Sequence, residues 1–301
     1  MIRHLRHEHI DKQWWDQQLL RCDMPLWYAR SWVLDATSPG WEALHDDETG
    51  AIMPLTWRKK YFIKYLFQPF GSQQLGVFVP NYDEAIGQRM LQAIPREYRY
   101  CDISLNERMG ALNASGSRTT PRSQQVLLLD RPVMDLRNAY SEGHRRNLKK
   151  AVNDPLLIND ITPDEFTALY ARTTGQRYGV QALELDIMQE VIAQALERGE
   201  CSTWGTRCDQ KLVAAACFIE WNGRAIFYKS GADPIGQEQR AMFRIIDAYI
   251  KKHAGSGVLL DFAGSDTPSV ARFNAGFGAQ RRIYLRLQRN LLPPPFRWLK
   301  Q

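Results

Sequence analysis

The stretch running from Ala225 to Ser265 constrains this chain most. Ala225-Ile226-Phe227-Tyr228-Lys229 is short, aromatic and β-prone, and Gly231, Asp233 and Pro234 end it. From Ile235 onward the apolar residues Met242, Ile245, Ile246, Tyr249 and Ile250 recur at helical spacing. Lys251, Lys252 and His253 fall in the last turn, where cations suit the helix dipole, and Gly255 follows as a stop. Val258 to Phe262 is then a short apolar run of the kind found in buried strands. The order is strand, loop, helix, strand. A helix entered from such a loop points its free N–H groups at whatever lies beside the loop, so residues 236–241 form a candidate anion site.

The rest of the chain supports an α/β (α+β) class and suggests a repeat of that unit. Helices are expected over residues 11–21, 25–35 and 82–94, and strands over 41–45, 51–57, 61–67, 75–79, 98–105 and 125–129, with the Ser-, Thr- and Asn-rich segment 113–122 as a loop. In the second half, Ser141 caps a helix over 142–152. An extended segment over 156–159, helices over 163–174 and 185–198 and a hairpin over 201–220 follow. A helix at 267–274 and a strand at 280–288 close the order. Hairpin 41–57 corresponds to 201–220, helix 82–94 to 235–253, and strand 98–105 to 258–262. This predicts two similar domains with mixed sheets flanked by helices, over residues 1–135 and 136–301.

The composition narrows the partners. An apolar content of 44% with 24% charged residues is that of a globular chain, and the net charge of +6 favours an anionic partner while also serving solubility. The five cysteines, Cys22, Cys101, Cys201, Cys208 and Cys217, lack CxxC spacing and read as free thiols of a reducing cytoplasm. The first ten residues lack the apolar core of a signal peptide, and nothing approaches the roughly 18 apolar residues of a membrane span. His4, His7 and His9 lie among charged residues with no further ligand group evident nearby, so a solvated start is expected and no metal site is assigned.

Three groups of residues are candidates for chemistry. In Glu142-Gly143-His144-Arg145-Arg146-Asn147-Leu148-Lys149-Lys150-Ala151, the pairs Arg145/Lys149 and Arg146/Lys150 give the helix two adjacent basic ridges. A polyanion fits there, and so does plain solvent. Gln237, Gln239, Arg240 and Ala241 stand at the helix start, where a donor phosphate would be held. Their other reading is the polar first turn of a core helix. Lys229 and Asp261 end what read as neighbouring strands. They are candidates for charge stabilisation and proton transfer, or for a salt bridge at the core's edge. Ser141 with His144 reads as a helix start rather than a nucleophile–base dyad.

Three stretches resemble the GNAT-like superfamily, and within it the Fem-type (FemAB-like) aminoacyltransferases and their acetyltransferase relatives. These are His144 to Ala151, the unit ending in Asp261-Phe262-Ala263-Gly264-Ser265, and Arg272-Phe273-Asn274-Ala275-Gly276-Phe277-Gly278-Ala279. The resemblance implies tandem GNAT-like domains that move an acyl or aminoacyl group to an acceptor amine. The donor would be acyl-CoA or aminoacyl-tRNA, used as a co-substrate, with no tightly bound cofactor. The acceptor would be an anionic small molecule or a cell-wall-precursor-like substrate, and tRNA would be a partner in the Fem-type case. It also implies two strands that splay apart around Phe227 and Leu260. Where the GNAT pyrophosphate motif has further glycines, this chain has Gln239-Arg240-Ala241. The alternative is a non-catalytic module that binds an anion through His144, Arg145, Arg146, Lys149 and Lys150.

Overall fold

The structure is a computed structural model, and it describes residues 1–110, 116–151, 158–264 and 266–293. Contacts gather the chain into two compact units. One comprises residues 1–122 together with 283–301, the other residues 123–282. The units thus divide elsewhere than at the expected 135/136 boundary, and the end of the chain returns to the first unit.

The first unit opens with a three-stranded antiparallel sheet of Ile2–Leu5, Glu42–Asp46 and Ile52–Leu55. The N-terminus is therefore paired along Ile2–Leu5, and His4 Nε2 donates to the Glu42 carboxylate at 2.6 Å there, in place of the expected solvated start. Glu42 and Glu97 share Arg6, and Lys64 stands beside both. The His4–Glu42–Glu97 group is thus already neutralised by side-chain cations. The chain turns at Thr56 into a second sheet, where Trp57–Lys60 forms a hairpin with Ile63–Phe67. Ile63–Phe67 then runs parallel to Tyr98–Ser104, with the helix Glu84–Gln92 between them in sequence. The last strand, Gln280–Asn290, pairs antiparallel with the free side of Tyr98–Ser104.

The second unit repeats this succession. Cys201–Cys208, Lys211–Trp221 and Arg224–Ala232 form an antiparallel meander, and Ile158–Asp160 extends it. Arg224–Ala232 runs parallel to Leu259–Gly264, and residues 124–128 close the order antiparallel on the far side. That last strand starts at Ser117, within the segment expected to be a loop, because Ser117 to Arg122 are polar but extended. The crossover helix Ala241–His253 places Ala241, Ile245, Ile246, Tyr249 and Ile250 on one buried stripe. The stripe packs on Ala214, Ala216, Phe218, Ala225, Leu260 and Phe262. Tyr249 stacks on Phe218 with ring centroids 3.9 Å apart. Burying each large side chain of this kind contributes about 1.5–3 kcal/mol, so this face anchors the crossover.

The expected single helix over 235–253 is in fact two. Asp233 caps Pro234–Glu238 by accepting from the Gly236 N–H at 3.0 Å, and Arg240 then breaks the chain at φ +55° before Ala241–His253 begins. Gly236 is required at its position, since a Cβ would run into the Val213 carbonyl. No helix among the described residues is long and apolar enough to cross a membrane.

Candidate functional site

The parallel ladder between Arg224–Ala232 and Leu259–Gly264 lasts only three residue pairs. It runs Arg224 with Leu259, Ala225 with Leu260 and Ile226 with Asp261, and then stops while both strands continue. The strands therefore separate from Phe227 and Phe262 onward. The expected splay is present and begins two residues later than Leu260, which is still paired, as is Asp261. The Phe227 and Phe262 rings meet edge to face at 6.1 Å, at the point of divergence.

Two bulges accompany this opening. The ladder between Lys211–Trp221 and Arg224–Ala232 slips between Cys217 and Phe218, so Cys217 faces Lys229 while Phe218 faces Phe227. Tyr228 is the extra residue, and a bulge of this kind re-aims the side chains that follow it. On the other strand, Ala263 adopts φ +58° and donates its N–H to Asp261 Oδ1 at 2.8 Å. The ladder to residues 124–128 slips at the same place.

Lys229 sits at the first bulge, half-buried, opposite the buried Cys217. Burial pushes its ammonium down to about 8, partly offset by the charge of Glu184 and by Cys217. Cys217 Sγ lies 3.4 Å from Cys201 Sγ, and its thiol is pushed well up by burial. Tyr228 and Tyr170 are buried close by, and burial raises both phenols. A π-helical turn, Ala171–Gly175, covers this strand, with Thr174 Oγ1 donating to the Ser230 carbonyl at 2.8 Å. Arg172 from the same turn reaches both Asp233 and the Leu212 carbonyl. Short π turns of this kind recur at functional sites. A lysine that titrates near neutrality can carry charge or exchange a proton within one turnover.

Asp261 is placed differently from its expected proton-transfer role. It is 1% exposed, and both carboxylate oxygens are engaged. Arg224 donates to Oδ2 from Nε at 3.0 Å and from a terminal nitrogen at 2.7 Å, while Oδ1 takes the Ala263 N–H. Asp261 is thus held in a buried salt bridge whose partner is Arg224. Asp261 is the last paired residue of its strand, Lys229 lies three residues beyond the last pair on the other, and Asp261 shapes the strand end.

His144 is also turned inward. It is 8% exposed, with its ring among Phe243, Phe273 and Phe277. Nε2 lies 2.8 Å from the Phe273 carbonyl, which only an N–H can satisfy, so Nδ1 accepts from Ser141 Oγ at 2.9 Å. Ser141 Oγ in turn accepts the His144 N–H at 3.2 Å, as a helix cap does. Burial lowers the imidazole pKa, which favours this neutral form. His144 therefore has no ring nitrogen left for a ligand. Gly276 packs directly on the ring, where any Cβ would overlap it.

The basic ridges are exposed. Arg145 donates to the carbonyls of Asn138 and Tyr140, and Arg146 pairs with Glu142 at 3.6 Å. Lys149 and Lys150 both face solvent. The four residues expected at the donor phosphate make internal contacts. Gln237 donates to the Ala232 carbonyl, Gln239 to Cys208 Sγ, and Arg240 to Asn147 Oδ1 and the Glu238 carbonyl. Ala241 has its side chain in the core. Sequence reasoning did not pick out Arg224, Glu184, Cys217, Tyr228 or the π turn. Only the bulge and the parallel register bring them to this place.

Residues 142–268 match the family model described as an Acetyltransferase (GNAT) domain, a span that contains both bulged strands and the crossover helix. No curated protein matches the sequence. Among solved structures, FemX aligns over 99% of both chains at 12% identity with a TM-score of 0.68. A tandem GNAT protein from the clavulanic acid biosynthesis pathway aligns over 96% of this chain and 98% of its own at 14% identity, with a TM-score of 0.57. L-PGS from Bacillus licheniformis aligns over 86% and 87% at 10% identity, with a TM-score of 0.51. Residues 142–268 thus match a GNAT domain, a span that includes the splayed strands, and the fold of nearly the whole chain is similar to that of FemX.

Proposed function

We propose that this chain transfers an acyl or aminoacyl group from an activated donor to an acceptor amine, with the reacting carbonyl held where strands Arg224–Ala232 and Leu259–Gly264 part. The observation that carries the reading is that parting. Beyond Ile226 the strand loses its parallel partner, which leaves backbone groups on that edge outside the ladder. Such groups can hold an extended donor and polarise its carbonyl. Lys229 stands beyond the same point on the same strand. In the reading it stabilises the charge that develops on the carbonyl oxygen as the amine attacks directly. The new C–N bond forms, the donor's C–S or C–O bond breaks with the electron pair going to the leaving thiol or ribose oxygen, and the amine proton passes through solvent to that leaving group. The five free cysteines suit a reducing cytoplasm, where either donor is available.

The side chains of Gln237, Gln239 and Arg240 are engaged internally, so a donor phosphate at this helix start would be held by backbone N–H groups, and both acyl-CoA and aminoacyl-tRNA fit as donors. The exposed ridges of Arg145, Arg146, Lys149 and Lys150 suit a polyanionic donor or a cell-wall-precursor-like acceptor. They equally suit a non-catalytic anion-binding module, which is the second reading. A thermal-shift screen against acyl-CoAs, charged tRNA and nucleotide-linked sugars separates the two, followed by transfer of a labelled group to a panel of amines. Binding of a donor with transfer supports the enzyme, binding without transfer supports the module, and no shift with any donor overturns both.

A further inference from the structure

The hairpin Trp57–Lys60 with Ile63–Phe67 turns through Tyr61 and Phe62 alone. Both have positive φ, 47° and 67°, the pattern of a two-residue turn that normally carries Asn-Gly. Bulky aromatic residues are rare in that conformation and cost stability there. Neither ring is compensated by packing, since Tyr61 is 82% and Phe62 93% exposed. The two residues thus carry a backbone cost and a solvation cost together, on an otherwise regular hairpin. Around them stand exposed Arg58, Lys59 and Lys60, with the Lys59 and Lys60 ammonium groups 5.8 Å from the Phe62 ring and 5.6 Å from the Tyr61 ring. Ile63, Leu291 and Pro293 line the groove behind the tip.

We infer that this tip docks on the surface of an anionic phospholipid bilayer. Aromatic rings favour the headgroup boundary, where one side of the ring is apolar and the other wet. Lysines beside them reach the lipid phosphates on long four-carbon stems whose methylenes lie along the rings. A single-stranded nucleic acid is less well served. It needs aromatic faces set along a groove that tracks the phosphates, whereas here both rings project from the single two-residue turn of a hairpin.

The test is co-sedimentation of the full chain with vesicles of phosphatidylcholine, alone or mixed with phosphatidylglycerol, at low and at high salt. Binding only to the mixed vesicles, weakened by salt, is expected. The double variant Tyr61→Asn, Phe62→Gly places in the turn the residues it prefers, so its melting temperature should hold or rise. Its partitioning should fall at least about tenfold, since two apolar side chains leave the boundary. The double variant Lys59→Glu, Lys60→Glu should lose about tenfold or more, at low salt only. No binding by the parent chain, or equal binding by the aromatic variant, overturns the inference. So does capture of bulk tRNA that depends on the tip in the absence of vesicle binding.

Discussion

Replacing Lys229 by Met should make the protein more stable at neutral pH and inactive. The ammonium is driven from 10.5 to about 8 by burial against Cys217 and the turn that covers it. A difference of about 2.5 units corresponds to roughly 3 kcal/mol of penalty on the charged form. Residual solvent contact of the half-buried side chain reduces this to about 2 kcal/mol. Methionine is close in length and shape and carries no charge, so it recovers that amount without opening a cavity. The pH dependence gives a sharper signature. Below about pH 8 the lysine is protonated in both folded and unfolded chains, and the whole penalty is present. Between about 8 and 10.5 the folded chain sheds the proton first, so the parent protein gains stability relative to the variant as pH rises. Urea unfolding of both proteins at pH 7 and at pH 10.5 should therefore show a gap of about 2 kcal/mol that closes at the higher pH. A Met variant no more stable than the parent at pH 7, or a gap that persists unchanged to pH 10.5, would refute the burial argument. Full turnover by the variant on the true substrate would remove Lys229 from the chemistry.

Other substitutions test the neighbouring geometry. Arg224→Met should cost about 3–5 kcal/mol in urea unfolding, because it strands the Asp261 carboxylate in a site with 1% exposure; adding Asp261→Asn should recover part of the loss. If Arg224→Met proves neutral, the pair is not what shapes the strand end. Gly276→Ala should destabilise by about 3 kcal/mol or more through overlap with the His144 ring, and the double variant with His144→Ala should be more stable than Gly276→Ala alone. Additive losses in that cycle would mean the two residues do not touch. Because burial lowers the His144 pKa from 6.5, the unfolded chain takes up that proton first as pH falls, and stability should drop below about pH 6.5. His144→Gln should flatten that limb of the stability profile, and an unchanged slope would assign it to other groups.

The parts of this fold that could be read in advance are those where one element determines itself. The recurrence of Met242, Ile245, Ile246, Tyr249 and Ile250 announces a helix with one buried face, and all but the half-buried Met242 lie on the buried stripe. The i, i+4 basic ridges announce an exposed surface, and Arg145, Arg146, Lys149 and Lys150 are exposed. What escaped depends on partners distant in sequence. Arg224 meets Asp261 only through the parallel register, and Lys229 meets Cys217 only through a bulge. Arg240 at positive φ carries no residue signal, since arginine has no preference for that region. His144 lies in strongly charged company along the chain, and its aromatic pocket comes from Phe243, Phe273 and Phe277 more than ninety residues later. Ile2–Leu5 is too short and too charged to read as a strand until Glu42–Asp46 pairs with it.

The return of the last strand to the first unit has a consequence for biosynthesis. When the ribosome has made Tyr98–Ser104, that strand still has one side without its partner, because residues 286–290 come more than 180 residues later in the chain. The second unit, residues 123–282, emerges entirely before that partner does. The first unit to be started is thus the last to be completed, against the usual N-to-C order of domain folding. A nascent chain of this design carries an unpaired strand edge until residues 286–290 are made, and a chain stopped before residue 286 keeps that edge open.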